Sequence, residues 1–156
     1  MGRSMFSGWG IRTVAANELR YNPMSYHNGS VWPHDNALIA CGMARYGLTE
    51  AVLKILTGFL EASIFLDTSR MPELFCGFQR RAGEGPTLYP VAFARQSWAA
   101  ASVFMLLQAS LGLHIDAPRR QVRFTGPALP EWLRKISVDN LKVGNASIDL
   151  SLERLP

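Results

Sequence analysis

Three stretches of this chain repeat apolar residues at helical spacing, and the last stretch repeats them in alternation. From Pro33 to Arg45, the residues Ala37, Leu38, Ala40, Cys41 and Ala44 make a mostly apolar surface, and Gly47 follows as a stop. From Glu50 to Asp67, Val52, Leu53, Leu56, Phe59, Leu60 and Ile64 keep three-and-four spacing behind a cap at Thr49. The short link Tyr46-Gly47-Leu48 predicts that these two helices form an antiparallel hairpin. From about Arg95 to Leu111 the pattern is apolar on every side, which predicts a helix buried all round, ended by Gly112. Beyond Pro118 short alternating runs take over: Gln121 to Phe124, Lys135 to Val138, Asn140 to Val143 and Ser147 to Leu152. Gly144-Asn145 stands between the last two, as in a tight hairpin. Helices followed by strands point to α+β. The third helix is more apolar than two helical neighbours can cover.

Two segments lack helical period. Residues 1–30 are rich in Gly, Asn, Ser and aromatics and read as loop. Residues 68–93 hold Met71-Pro72-Glu73-Leu74-Phe75, the pair Arg80-Arg81, and several glycines and prolines. A loop of that length in a compact domain is functional or disordered, and its aromatic and apolar content argues against disorder.

The densest chemistry lies in Tyr26-His27-Asn28-Gly29-Ser30-Val31-Trp32-Pro33-His34-Asp35-Asn36. Pro33 suits the first helical position, because its fixed φ is set for that turn and its missing N–H would have no partner there. Ser30 stands as the candidate cap, and Asp35 places negative charge in the first turn. Polar groups are thus presented where backbone N–H groups point outward. Amides and carboxylates for hydroxyls, beside indole faces for the C–H side of a ring, are what a sugar needs. The plainer alternative is a capped helix start whose aromatics fill core.

Composition narrows the classes. A chain of 156 residues is one ordinary domain, or one with a small appendage. The net charge of +4 comes from scattered Arg and Lys, densest at Arg80-Arg81 and Arg119-Arg120, with no basic helix and no interleaved aromatics. Nucleic-acid binding is poorly supported on that footing. Cys41 and Cys76 fit no metal-ligand spacing and suit a reducing cytosol as free thiols. No charged-then-apolar leader and no membrane-length apolar run are visible. A cytoplasmic protein with no metal, no cofactor, no nucleic-acid partner and no membrane partner is expected.

Three blocks together resemble one family. They are FSGWGIRT (Phe6 to Thr13) with YNPMSYHNGSVWPHDN (Tyr21 to Asn36), MPELFCGF (Met71 to Phe78), and YPVAFARQSWAAAS (Tyr89 to Ser102). The chain is similar to the C-terminal part of bacterial amylo-α-1,6-glucosidases, the glycogen-debranching-enzyme-related proteins. Glucoamylases, trehalases and processing α-glucosidases are related to that family. The resemblance implies a mainly α fold with a small C-terminal β region, namely part of an (α/α)6 toroid of six-hairpin glycosidase type. Residues 1–115 would be the partial barrel and residues 116–156 the β segment. It also implies inverting hydrolysis of an α-glucosidic bond, α-1,6 in glycogen-like glucans, by two carboxyl groups. Glu73 matches the family's general base. No position matches its acid, which lies upstream in the family. A chain with only the base is expected to be inactive by itself.

Trp9, Tyr26 and Trp32 are the candidate ring faces for glucose. His27, Asn28, His34 and Asp35 are the candidate hydroxyl partners, with capping of backbone groups as the alternative for the histidines. Gln96 and Arg95 open the third helix toward the same site, while Trp98 reads as core. The alternative functions are a non-catalytic carbohydrate-binding module and a structural subunit that completes a barrel with a partner chain. Partners expected beyond a glucan or oligosaccharide are a second copy of the chain or that barrel-completing chain. Connectivity further predicts that the loop after Asp67 returns to the His34 end of the helices and carries Glu73 there.

Overall fold

The computed structural model describes residues 1–93 and 96–155. Three helices stand among them: α1 (Pro33–Arg45), α2 (Thr49–Ser63) and α3 (Ser97–Leu111). Four strands follow: β1 (Leu113–Asp116), β2 (Gln121–Phe124), β3 (Lys135–Val143) and β4 (Ala146–Glu153). Arg95, expected to open the third helix, lies outside the described residues.

The expected toroid is not there. Helices of 13, 15 and 15 residues cover less than a third of the chain, and the strands form two separate two-stranded sheets. The fold is therefore neither mainly α nor part of an (α/α)6 ring: three packed helices carry long ordered loops and two antiparallel hairpins. Periodicity located the helices correctly. The step from there to a ring of hairpins came from the resemblance alone.

The helix ends show which local signals governed. Pro33 opens α1, but the cap position is Trp32 in extended backbone, without a side-chain cap. Ser30 is occupied elsewhere: its hydroxyl donates to the Tyr26 carbonyl at 2.6 Å and accepts the Trp32 indole N–H at 2.9 Å. Thr49 is the first residue of α2 rather than its cap, which is Leu48. α2 ends at Ser63, a turn short of Asp67. Gly112 ends α3 in the left-handed region at φ 54°, where a side chain would be strained, and a Cβ there would also meet the Thr125 carbonyl oxygen at 1.9 Å.

α3 packs on both α1 and α2. It buries Ala99, Ser102, Leu106, Ser110 and Leu111, which closes one stripe. The reading of α3 as buried all round fails on the opposite face, where Trp98 and Phe104 are 47% and 74% exposed. The core is built from Val52, Ile55, Leu56, Phe59 and Ala62 of α2, Ala37 and Ala40 of α1, and Phe6, Trp9, Ile11, Val31, Met71 and Phe75 of the loops.

β1 pairs antiparallel with β2 from Leu113↔Phe124 to Asp116↔Gln121. β3 pairs with β4 through the Gly144-Asn145 turn, with Val143 opposite Ala146. The two runs expected on either side of Asp139 are one strand with an irregularity between Val138 and Leu141. Asn140 sits there at φ 59°, its N–H donating to the Asp149 carboxylate at 2.7 Å.

The loops that carry the site are fixed by pairing between distant segments. Single antiparallel bridges join Arg12 to Val31, Val31 to Phe75, and Phe75 to Leu88. Val31 and Phe75 exchange both backbone hydrogen bonds, at 3.0 and 2.9 Å. Gly77 packs so closely on Gly29 that a Cβ would lie 1.7 Å from the Gly29 carbonyl oxygen. The buried Arg12 guanidinium donates to the carbonyls of Gly77, Arg3 and Ser4 and to the Gln79 side chain. As a result Met71 to Gly77 is buried throughout, although nothing in it is helical.

Candidate functional site

Glu73 is 3% exposed, so its carboxyl group must find partners within the protein. Tyr26 Oη donates to Glu73 Oε1 at 2.6 Å. Gln96 Nε2 donates to the same oxygen at 3.1 Å, and the Phe93 N–H donates to Oε2 at 3.3 Å. The Glu73 N–H returns a bond to the Phe93 carbonyl at 3.0 Å. Three segments supply these groups: the loop before α1, the loop after α2, and the start of α3.

Burial alone pushes the Glu73 carboxyl up, because it penalises the charged form. The hydrogen bonds from Tyr26, Gln96 and Phe93, with the charge of His34, outweigh it and hold the group below the usual carboxylate range. The same contact acts on the other partner in the opposite sense. Hydrogen bonding to Glu73, then burial, then the Glu73 and Tyr89 charges push the Tyr26 hydroxyl up to about 12. Glu73 is therefore an ionised acceptor and Tyr26 a protonated donor across neutral pH. A carboxylate has about four acceptor directions. Oε2, with one long bond, retains capacity for a further donor such as a water or a sugar hydroxyl.

Aromatic rings cluster around Tyr26, the donor to this carboxylate. Tyr26 meets His27, Trp32 and Tyr89 edge to face, with centroids 4.6, 4.8 and 5.6 Å away. His27 lies parallel to Trp32 at 5.8 Å. His34 stacks on Trp98 at 4.1 Å and 11°. Its Nε2 is 3.0 Å from Asp35 Oδ1, and its Nδ1 is enclosed with no hydrogen-bond partner among the described residues. The Trp98 indole N–H also bonds Gln96 Oε1.

The residues singled out in the sequence divide into two groups. Tyr26, His27, Trp32, His34, Asp35, Glu73 and Gln96 come together at one end of the helices. Connectivity predicted this convergence of the loops before α1 and after α2. Trp32 is itself buried, its N–H bound to Ser30 Oγ and, at 3.3 Å, to the Tyr26 carbonyl, so it backs the site. Asn28 braces the loop through its backbone: its carbonyl accepts the Asn22 N–H and its own N–H donates to Ser25 Oγ. Trp9 lies apart, buried in the core against Phe65 and covered by the Arg80 guanidinium 4.3 Å above its ring.

Two aromatics of the cluster were missed. Trp98 read as core because it opens an apolar helix, yet it is half-exposed and stacked on His34. Tyr89 opens the block from Tyr89 to Ser102 but had no assigned role, since its contact with Tyr26 depends on the long-range bridge between Phe75 and Leu88. Among the described residues no group of His, Cys, Asp and Glu is arranged to hold a metal ion. No helix among them is long and apolar enough to cross a membrane.

Residues 3–71 match the family described as "Mannosylglycerate hydrolase MGH1-like glycoside hydrolase domain". The matched stretch includes Tyr26 to Asp35 and stops two residues before Glu73. No curated protein matches the chain. The match relates the chain to glycoside hydrolases without naming its linkage or its substrate.

Proposed function

We propose that this end of the molecule binds a glucosyl unit of an α-glucan, and that Glu73 is the general base of an inverting hydrolysis. The linkage proposed is α-1,6 in a glycogen-like glucan, as the resemblance to amylo-α-1,6-glucosidases implies, and the setting proposed is the cytoplasm, which the free thiols of Cys41 and Cys76 suit. The observation that carries the reading is the Glu73 carboxylate, held ionised by Tyr26, Gln96 and the Phe93 N–H within a cluster of rings. Such a carboxylate accepts a proton from an attacking water, and a half-exposed indole at Trp98 offers an apolar face to a sugar. Inversion requires the water between the base and the anomeric carbon, with a separate acid on the leaving oxygen. No residue of this chain matches the family's acid.

The absence of a matched acid makes the base separately testable. Fluoride departs without protonation, so α-glucosyl fluoride needs only the base. The chain is expected to release fluoride from it above the spontaneous rate, giving β-glucose first. It should release no glucose from branched or linear glucan. Glu73→Gln should lower fluoride release by about a hundred-fold to ten-thousand-fold. Fluoride release equal in the Gln variant would remove Glu73 as the base. Binding of glucose-containing oligosaccharides with no fluoride release would favour the non-catalytic binding module, which the near-complete enclosure of Glu73 also suits.

A further inference from the structure

A groove of about 870 Å³ runs along the outward side of α2. Its walls are that helix, the N-terminal loop at Phe6 and Gly8, and the segment Pro130 to Trp132. None of the residues around Glu73 lines it. From Thr49 to Glu61 the helix floor measures about 18 Å, at 1.5 Å per residue, room for several sugar units in a row.

Trp132 is 55% exposed at this groove. Its indole N–H donates to Thr57 Oγ1 at 3.3 Å, which ties one edge of the ring to α2. The rest of the lining mixes signs: Glu50, Glu61 and Glu131 with Lys54 and Arg80. Arg80 is spent on Glu61, and the Lys54 ammonium lies 4.9 Å from the centre of the Phe6 ring. Three carboxylates against two basic side chains give only a weak single-sign field to draw in a polyanion or a polycation. A tethered indole beside carboxylates and an ammonium suits a neutral, polyhydroxylated chain.

We propose that this groove is a second carbohydrate site, which holds a neutral oligosaccharide strand. Trp132 is its ring platform, and Glu50, Lys54 and Glu131 are hydroxyl partners. The site is separate from the Glu73 cluster, and its ligand class rests on the reading of the chain as a sugar-handling protein. It would retain a branched polymer while one of its ends is presented at Glu73.

The test is migration in native gels cast with soluble glycogen, backed by calorimetric titration with maltoheptaose. Wild-type protein should be retarded. Trp132→Ala should weaken binding about tenfold, as loss of an aromatic contact and its area implies. Trp132→Phe should recover part of it, and circular dichroism should match wild type, since the side chain is largely exposed. Trp98→Ala, altered at the Glu73 end, should still be retarded. Trp132→Ala should hydrolyse α-glucosyl fluoride as wild type does. Equal retardation of Trp132→Ala and wild type overturns the proposal, as does retardation by an anionic polysaccharide but not by glycogen. If fluoride is released but glycogen is not bound, the groove is wrong and Glu73 stands. If glycogen is bound through Trp132 without fluoride release, the groove stands and the base assignment falls.

Discussion

Asn36 gives the most direct test of how the loops are held. It is 1% exposed and lies in the first turn of α1. Its Oδ1 accepts the Ile11 N–H at 2.6 Å, and its Nδ2 donates to the carbonyls of Ile11 at 3.0 Å and Trp32 at 2.9 Å. One side chain thus satisfies both backbone groups of a buried loop residue. Asn36→Ala leaves the Ile11 N–H and C=O without that partner. The Trp32 carbonyl keeps the Asn36 backbone N–H. A buried polar group left unsatisfied costs about 1–3 kcal/mol, so two predict about 2–6 kcal/mol. Against a typical total of about 5–15 kcal/mol, that is a large part of the stability.

Asn36→Asp separates hydrogen bonding from volume, because it keeps the shape and the Oδ1 acceptor. Its second oxygen would face the Ile11 and Trp32 carbonyls, which disfavour a carboxylate and raise its pKa. The deficit should therefore be largest at neutral pH. It should shrink as pH falls through that raised value, where the protonated oxygen becomes a donor to one carbonyl. Urea unfolding gives both quantities, provided the slope of free energy with urea is unchanged. An Asn36→Ala cost within about 0.5 kcal/mol of zero, the range of ordinary surface substitutions, would refute the argument. So would a pH-independent Asn36→Asp deficit.

Three further outcomes are expected. Glu73 has a depressed carboxyl pKa, so its stabilisation is present above the unfolded value of about 4.3 and is lost as pH falls through the folded value. Tyr26→Phe removes a donor to it, so acid unfolding should begin at higher pH. The difference should vanish where both carboxyls are protonated, and superimposable acid limbs would refute the role given to Tyr26. In the parent, the Tyr26 contribution should be complete below about pH 10, the usual tyrosine value, and lost as pH rises through about 12. Leu38, Ile39, Trp98 and Phe104 leave apolar area exposed on α1 and α3, and we propose that this area drives self-association. Light scattering should show dimers at micromolar concentration and monomers for Phe104→Glu; a monomeric parent would count against it.

Local signals were legible where one dominated. The start of α1 at Pro33, the strand Gln121–Phe124 and the Gly144-Asn145 turn follow from residues adjacent in sequence. β1 was missed because Leu113-His114-Ile115-Asp116 follows Gly112 at the end of an apolar run, and its partner lies beyond another turn. The length of α2 was overstated because Ile64 continues the apolar spacing, while the chain turns after Ser63, whose hydroxyl bonds the Leu60 carbonyl. The site was legible as a set of residues more than as an arrangement. Tyr26 was marked as a ring face for sugar, and its hydroxyl bond to Glu73 could not be read from a spacing of 47 residues.

That arrangement depends on one pairing. Val31 pairs antiparallel with Phe75, which fixes the register of the segment from Met71 to Gly77 against the chain that enters α1, and the Tyr26 hydroxyl reaches Glu73 from the loop before Val31. Side chains of extended backbone alternate in direction, so a slip of one residue would turn Pro72 or Leu74 toward Tyr26 and Glu73 away from it. Gly77 and Arg12 oppose such a slip. Only a residue without Cβ fits against the Gly29 carbonyl, and the Arg12 guanidinium takes the Gly77 carbonyl at 2.6 Å and Gln79 Oε1 at 3.1 Å. A segment without helix or extended ladder is thereby held in a single register. Gln96, at the start of α3, then meets a carboxylate whose position is already set. The geometry at Glu73 is for this reason a property of residues far from it, and a change at Arg12 or Gly77 should disturb the site without touching any group in it.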